Sequence, residues 1–116
     1  MAFRFEDLQV WQKAIDLDDQ INTLSKKFPR DEIYVLTSQI KRAADNVVLN
    51  IAEGSTGPHK AVFKVFLGYS LRSAIEVVGC LFIGKKRGYI KDEDFKHLYG
   101  EYEVLVKMIT ALRKSI

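Results

Sequence analysis

Hydrophobic residues recur at alternating steps of three and four along three long segments of the chain. This spacing places side chains on one face of an α-helix, whereas a strand would need strict alternation. The three stripes are Val10, Ala14, Leu17, Ile21, Leu24 and Phe28; Ile33, Leu36, Ile40, Ala43 and Val47; and Phe95, Leu98, Tyr102, Leu105, Ile109, Leu112 and Ile116. Each stripe is predicted to be the buried seam of one helix.

The residues that interrupt helices lie near positions 29, 54–58 and 84–88, where both prolines and several glycines occur. They divide the chain into four helices, predicted near residues 6–27, 32–53, 59–86 and 92–114. Because the connections are short, consecutive helices are expected to be antiparallel. The sequence therefore predicts an all-α fold, an up-down-up-down four-helix bundle, formed by a single domain over residues 1–116.

The third segment differs from the others because 16 of the 24 positions between Ala61 and Gly84 are hydrophobic. Its only charged residues are Lys64, Arg72 and Glu76, spaced at multiples of four. A helix that is apolar on most sides needs cover on most sides, and three neighbours in a small bundle leave part of it open. The excess predicts a subunit interface in a homo-oligomer. The alternative is a central core helix that one chain covers completely.

The composition, with 47% hydrophobic and 28% charged residues among 116, is typical of a soluble globular domain and excludes disorder. The single cysteine, Cys80, lies in an apolar stretch and is expected to be a core side chain. No uninterrupted apolar run is long enough to span a membrane, and the N-terminus lacks the apolar core of a signal peptide. A cytoplasmic protein without membrane contact is therefore expected.

The net charge of +3 permits an anionic partner without requiring one. In an antiparallel bundle the first and third turns lie at the same end, which then collects five acids: Asp31, Glu32, Asp92, Glu93 and Asp94. The same end collects seven cations, the candidate nucleic-acid-binding residues: Lys26, Lys27, Arg30, Lys85, Lys86, Arg87 and Lys91. The alternative is that the helix dipole alone favours cations at helix C-termini and acids at N-termini.

No combination of residues in the sequence indicates an active site. His59 and His97 belong to no His-x-x-x-His or Cys/His cluster, so neither zinc nor a catalytic dyad is expected. Asp16, Asp18 and Asp19 are spread around a helix axis and are interpreted as a solvated face. The protein is therefore expected to be no enzyme and to need no cofactor or metal.

Two polar features near the second turn are interpreted as structural. The turn at residues 54–60 resembles a phosphate-binding turn but lacks the Gly-x-x-x-x-Gly-Lys-Ser/Thr spacing, so a helix N-cap by Ser55 or Thr56 is favoured. Asn50 falls on the apolar seam, where a buried amide must find hydrogen bonds. Glu53 is either its partner or the acceptor of a following loop amide.

Four motifs, in order along the chain, resemble the bacterial four-helix-bundle proteins first noted in intervening sequences of 23S ribosomal RNA genes. They read DLQVWQKA at residues 7–14, FPRDE at 28–32, LTSQIKRAA at 36–44 and NIAEG at 50–54. The resemblance continues into the fourth helix and covers nearly the whole chain. It implies structural roles for six motif residues: Trp11, Gln39, Arg42, Asn50, Glu53 and Gly54.

The resemblance also implies a bundle that assembles as a ring-shaped homopentamer and has no established catalytic activity. The accessory proteins of diversity-generating retroelements are related, and these basic pentamers bind nucleic acid and a reverse transcriptase. Two functional hypotheses follow. The first is an oligomer that binds RNA or DNA weakly through its basic end, and the second is a protein-interaction scaffold with no nucleic-acid role.

Overall fold

The computed structural model describes residues 2–116, and within that range it has four long helices and no strand. A short 3-10 turn at Arg4–Asp7 precedes the first helix, and another at Arg30–Glu32 precedes the second. The four helices are α1 (Gln9–Ser25), α2 (Leu36–Gly54), α3 (Lys60–Lys86) and α4 (Asp92–Ser115). All four predicted helices are therefore confirmed, and their ends differ from the predicted ones by at most four residues.

The four helices form an elongated bundle of 44 × 23 × 23 Å. α1 packs against α2 and α4, and α3 packs against the same two helices from the opposite corner. Within residues 2–116 the diagonal pairs, α1 with α3 and α2 with α4, make no close backbone contact. This arrangement is the all-α, up-down-up-down four-helix bundle that the sequence predicts.

The predicted seams form the core of the bundle, with one exception. The six seam residues of the first stripe are all buried, and Leu112 and Ile116 at the end of α4 are half-buried. Ile33, by contrast, is 46% exposed, so its prediction as a seam residue is wrong. The reason is that residues 30–32 form a 3-10 turn and α2 begins only at Leu36, so Ile33 precedes the helix whose buried face it was expected to share.

α3 buries only the face that it turns towards the other helices. Phe63 and Cys80 are buried there, and burial raises the pKa of the Cys80 thiol to about 11, which confirms a core cysteine. Nearer the start of the helix, Val62, Val65 and Tyr69 are each about half exposed and are here called the outer face, and further along Ile75, Phe82 and Ile83 are 62%, 53% and 40% exposed. One bundle therefore leaves part of the apolar surface of α3 uncovered.

α3 is also long and apolar enough, by length and composition, to cross a membrane, and it is the one such helix within residues 2–116. Its mean hydropathy reaches 1.5 over an 18-residue window, a third of which is buried inside the bundle. The central helix of a globular bundle has the same composition, and α3 packs against α2 and α4 as such a helix does.

The close approach of α2 and α3 depends on Gly54, the last residue of α2. A Cβ atom at this position would lie 2.5 Å from the Cβ of Phe66 and 3.2 Å from a ring carbon of Phe63. A Cβ contact this short forces the backbone of one helix to move, because the Cβ of Phe66 is fixed to its own main chain. Gly54 therefore allows α2 and α3 to approach closely at this end of the bundle.

The residues after Gly54 do not cap α3. The hydroxyls of Ser55 and Thr56 donate to the carbonyl oxygens of Ala52 and Glu53, each at 2.8 Å. These hydrogen bonds run back to carbonyls at the C-terminus of α2, a local alternative that is open to Ser and Thr side chains. His59 precedes α3 and makes no capping bond with its side chain, so the predicted N-cap by Ser55 or Thr56 is wrong.

Candidate nucleic-acid interface

The α1–α2 turn and the α3–α4 turn lie side by side and are joined by one buried carboxylate, Glu32. Its Oε2 atom accepts a hydrogen bond from Arg87 Nη1 at 3.0 Å and another from the hydroxyl of Tyr89 at 2.9 Å. The rings of Phe28 and Tyr89 add an apolar contact, with 5.8 Å between their centroids. The predicted basic end is therefore one structural unit, and Glu32 holds its two turns together.

The donors around Glu32 also fix its charge. The hydrogen bond from Tyr89, followed by a backbone bond from Leu36 and the nearby Arg87 guanidinium, holds the pKa of the Glu32 carboxyl below its usual range. The same bond raises the pKa of Tyr89, because an ionised phenol could no longer donate to the carboxylate. The Glu32 carboxylate is therefore ionised and accepts these hydrogen bonds. The Arg87 guanidinium is already paired with it.

Two lysines of the basic end are also paired with acids of α4. Lys85 lies 3.0 Å from Asp92, whose pKa is lowered by hydrogen bonds from Lys85 and Lys96, and Lys27 lies 4.0 Å from Asp94. The remaining four candidate residues are exposed and make no ion pair within residues 2–116: Lys26, Arg30, Lys86 and Lys91. We call these the four exposed cations.

Exposed aromatic side chains adjoin the basic end, a feature that the sequence reasoning missed. Phe82 of α3 is 53% exposed and Tyr99 of α4 is 39% exposed, and both rings contact Phe95, with centroids 5.0 and 5.8 Å away. Lys85 Nζ lies 4.4 Å from the centroid of the Phe95 ring. Phe82 lies four residues before the end of α3 and Phe95 three residues after the start of α4, which is the signal that pairs these two residues of an antiparallel hairpin, and Tyr99 lies one helical turn beyond Phe95.

A further exposed aromatic residue, Tyr34, lies in the same α1–α2 connection. It is 93% exposed and follows Ile33, and Val35 after it is also exposed. These three residues occupy the stretch between the 3-10 turn and the first residue of α2. The basic end therefore presents apolar as well as cationic side chains to solvent.

The motif residues of the amino-terminal half make mostly local contacts. The Trp11 ring packs 4.8 Å from that of Phe5, and its indole N–H is buried without a hydrogen-bond partner within residues 2–116. Gln39 Nε2 donates to Glu76 of α3 at 3.4 Å, and the side chain of Arg42 is exposed. These contacts lie along the sides of the bundle and outside the basic end.

Asn50 and Glu53 do not pair with each other. Asn50 is half-buried, and its Nδ2 donates to the carbonyl oxygen of Asn46 in the preceding turn of α2, at 2.8 Å. The side chain of Glu53 is exposed, and its carbonyl oxygen accepts hydrogen bonds from the hydroxyl and the backbone amide of Thr56, at 2.8 and 3.3 Å. Of the two predicted roles of Glu53, that of partner to Asn50 is wrong because Asn50 satisfies its amide within its own helix. The loop amide that follows is bound by the carbonyl oxygen of Glu53 and not by its side chain.

Asp18 is an exception to the predicted solvated face of α1. Asp16 and Asp19 are exposed, but Asp18 faces Asp45 of α2 across a cavity of about 310 Å³ that Lys41 also lines. Burial, together with a hydrogen bond to Asp45 and repulsion from it, raises the pKa of Asp18 to about 7. Asp18 therefore binds a proton at a higher pH than an ordinary carboxyl group does.

The buried Tyr102 of α4 has its hydroxyl near the same pair. Its pKa is raised mainly by burial and further by the charges of Asp18 and Asp45. The hydroxyl finds no hydrogen-bond partner within residues 2–116. No group of three or more His, Cys, Asp and Glu side chains in that range is placed to hold a metal ion.

His97 forms a side-chain contact rather than a ligand cluster. Its Nε2 lies 2.9 Å from Oε1 of Gln20, across the interface between α4 and α1. A cavity of about 240 Å³ beside this contact is lined by Lys27 and Asp94, among others. His59 is exposed at the start of α3.

The fold and its surface define a small all-helical bundle protein whose most distinctive chemistry is a cationic and aromatic end. The chain belongs to the family of 23S rRNA-intervening sequence proteins, since the model of that family matches residues 6–111. One similar solved structure is a protein of unknown function from the S23 ribosomal protein family of Bacteroides thetaiotaomicron VPI-5482. It has a TM-score of 0.83 and 23% sequence identity, over 90% of this chain and 95% of that chain. No curated protein matches the chain.

Proposed function

We propose that this protein is a non-catalytic, self-associating four-helix bundle that binds RNA or DNA weakly through phosphate contacts at its basic end. One observation carries the proposal: the four exposed cations lie at one end, where Glu32, Asp92 and Asp94 already contact other cations. Phosphates attract such cations through an electrostatic interaction that does not depend on base sequence. The family resemblance supports nucleic acid as the anion.

Self-association is the second part of the proposal. The outer face of α3 leaves Val62, Val65 and Tyr69 about half exposed, and contiguous apolar surface of this kind marks interaction sites. A ring of identical subunits, a homopentamer by resemblance, would cover this face and repeat the basic end around one axis. Repetition strengthens phosphate binding, because the fields of neighbouring ends add.

The proposal needs no cofactor, metal or membrane, and it places the protein in the cytoplasm. Cys80 is compatible with this setting, because a lone buried thiol with a raised pKa resists oxidation in a reducing compartment. The absence of a catalytic role is part of the proposal.

Binding is tested by reversing charges at the two ends of the bundle. The double variant Lys26→Glu, Lys86→Glu removes two of the four exposed cations and breaks no ion pair described here. Its affinity for a labelled single strand at low salt is expected to fall about tenfold or more, measured by fluorescence anisotropy.

The matched control is the double variant Lys60→Glu, Lys114→Glu, which makes the same charge change at the opposite end. Its affinity is expected to stay within about twofold of the unchanged protein, because these lysines lie away from the basic end. Equal losses in both double variants would show that net charge, rather than the basic end, governs binding.

Self-association is tested with two valines of equal exposure. Val65 on the outer face of α3 is 47% exposed, and Val104 on α4 is 46% exposed. Val65→Glu is expected to lower the particle mass in light scattering while the circular dichroism stays helical, because a charge would be buried between subunits. Val104→Glu is the control, and a single-subunit mass for the unchanged protein would contradict the proposal.

A scaffold for protein partners is the second candidate function. The observation that favours it is also the outer face of α3, because apolar surface serves a different partner as well as a second copy. It becomes the better account if the unchanged protein binds no RNA or DNA at low salt and Val65→Glu leaves the particle mass unaltered.

A further inference from the structure

We infer that Phe82 and Tyr99 form a base-stacking surface beside the basic end, so that this protein prefers single-stranded nucleic acid to duplex. The inference rests on the proposed function and names the class of ligand. The carrying observation is that two aromatic side chains, 53% and 39% exposed, lie together where α3 and α4 meet. Every base has a flat face that stacks on such rings, and unpaired strands leave these faces available.

The two rings are held in place by their neighbours. Phe82 packs edge-on against Phe95, and Tyr99 stacks on the same ring with an interplanar angle of 30°. Phe95 is buried and therefore anchors both exposed rings to the core. Because these contacts already order the two rings, stacking of a base on them would cost little side-chain conformational entropy.

Positive charge lies directly beside the aromatic surface. Lys85 Nζ lies 4.4 Å from the centroid of Phe95, and Asp92 binds both Lys85, at 3.0 Å, and Lys96, at 3.2 Å. Two lysines therefore flank one carboxylate at the edge of the rings, and Lys86 follows as one of the four exposed cations. Stacking rings beside cations are the combination that binds single strands, with the rings taking bases and the lysines taking phosphates.

The surface is distinct from the outer face of α3 that the proposed self-association uses. Phe82 contacts residues of α4, and its ring lies 6.0 Å from that of Tyr99. The outer-face residues Val62, Val65 and Tyr69 occupy the other end of α3, nearer its start at Lys60. Ile75, 62% exposed, lies between the two surfaces along α3, so a ring that is limited to the outer face would leave the aromatic surface open to nucleic acid.

The test compares two single strands of the same backbone charge with a duplex, which carries about twice that charge. We would measure anisotropy of a thymidine strand of about 16 nucleotides, an abasic strand of equal length and a duplex. The unchanged protein is expected to bind the thymidine strand about fivefold to twentyfold more tightly than the abasic strand. The double variant Phe82→Leu, Tyr99→Leu is expected to lose this advantage and to keep its affinity for the abasic strand and the duplex.

Three control variants make the result specific. Tyr99→Phe keeps the ring and is expected to bind as the unchanged protein does. Phe3→Leu removes an aromatic side chain of 63% exposure at the opposite end and is expected to change nothing. Tyr99→Leu alone replaces the double variant if circular dichroism shows that the latter does not fold, and it is expected to lose part of the same advantage.

The possible outcomes separate the two proposals. Equal binding of the thymidine and abasic strands overturns the stacking inference, while a loss of affinity in Lys26→Glu, Lys86→Glu keeps the proposed function. Unchanged binding by the leucine variants, together with an altered particle mass, would make the aromatic surface a protein interface and overturns the inference as well. No binding of any strand by the unchanged protein overturns both.

Discussion

The two ends of the bundle carry a similar excess of positive charge but differ in the contacts that their cations make. The basic end has seven cations and five acids. The opposite end has four cations and three acids: Arg4, Lys60, Arg113 and Lys114, with Glu6, Asp7 and Glu53. The seven cations and seven acids that remain balance one another along the sides of the bundle. Counting charges therefore does not distinguish the ends, and the contacts of each charge do.

At the opposite end two of the four cations serve the fold. Arg4 lies 5.0 Å from the centroid of the Phe63 ring, and Arg113 Nε donates to the carbonyl oxygen of Lys64 at 2.8 Å. At the basic end, four cations make no ion pair, side-chain hydrogen bond or cation–π contact within residues 2–116, compared with two, Lys60 and Lys114, at the opposite end. The comparison shows that the number of cations without a structural contact, rather than net charge, distinguishes the two ends.

The largest expected effect on the free energy of unfolding comes from replacing Gly54 or Gly84, the glycines that allow close packing near each end. A Cβ at Gly54 would lie 2.5 Å from the Cβ of Phe66, whereas a Cβ at Gly84 would lie 2.6 Å from the Cδ1 atom of Ile90, the flexible end of its side chain. Gly54→Ala is expected to lower the free energy of unfolding by about 1–3 kcal/mol. Gly84→Ala should change it little, because Ile90 can rotate and alanine gains about 1 kcal/mol of helix propensity.

Urea denaturation of the two glycine variants measures this difference directly. Gly54 ends α2 and Gly84 lies two residues inside the end of α3, so the gain in helix propensity is larger for Gly84→Ala and adds to the difference. A greater loss of stability in Gly84→Ala would show that the helices pack more tightly at the basic end than at the opposite end.

The next largest expected effect concerns two carboxyl groups whose surroundings shift their pKa values in opposite directions. Tyr89 and Arg87 hold the pKa of Glu32 low, whereas burial beside Asp45 raises the pKa of Asp18 from 3.8 to about 7. The folded protein thus keeps a proton on Asp18 that the unfolded chain releases, so the free energy of unfolding falls as the pH rises from about 4 to about 7. Other groups facing Asp18 are Asp19, Lys41 and Tyr102.

Asp18→Asn should remove this pH dependence. The variant is expected to be about 1–2 kcal/mol more stable than the unchanged protein at pH 8, a figure reduced for solvent screening because Asp18 is partly exposed. Near pH 4 and below, the two proteins should have similar stability. Asp19→Asn, at an exposed neighbour, is the control, and parallel stability curves for Asp18→Asn and the unchanged protein would rule out the raised pKa of Asp18.

The smallest expected effect is a difference in melting temperature between variants of two cations of the basic end. One cation, Arg87, has a structural contact, and the other, Lys86, is exposed. Arg87 donates to the buried Glu32, whereas Lys86 beside it has no ion pair within residues 2–116. Arg87→Met is expected to lower the melting temperature by a few degrees, and Lys86→Met should leave it unchanged. Calorimetry of both variants gives the answer, and a larger loss in Lys86→Met would remove Glu32 from its linking role.

The sequence predicted the helices well because the three-four spacing is a local property. Leu36 and Val47 are buried as their spacing indicates, but Ile33 is not, since the same spacing also passes through a short 3-10 turn. Asp18 was misjudged for a different reason. What faces a side chain depends on the rotation of the neighbouring helix, which periodicity within one helix does not record.

The basic end was predictable in part. The antiparallel topology correctly placed the two turns together, but it could not show that Arg87 serves Glu32 while Lys86 stays exposed. The proximity of Phe82 to Phe95 was available in principle, because they lie four and three residues from the α3–α4 turn, and Tyr99 follows Phe95 by one helical turn. Their exposure was not, since it depends on how α3 and α4 cover each other.

The salt dependence of nucleic-acid affinity tests the central claim most directly. If the four exposed cations of one subunit contact phosphates of a single strand, the logarithm of the association constant should fall against the logarithm of the salt concentration with a slope of about −3. Lys26→Glu, Lys86→Glu should reduce the steepness of this slope to about half or less. A slope near zero, or one that this double variant leaves unchanged, would contradict binding through the basic end.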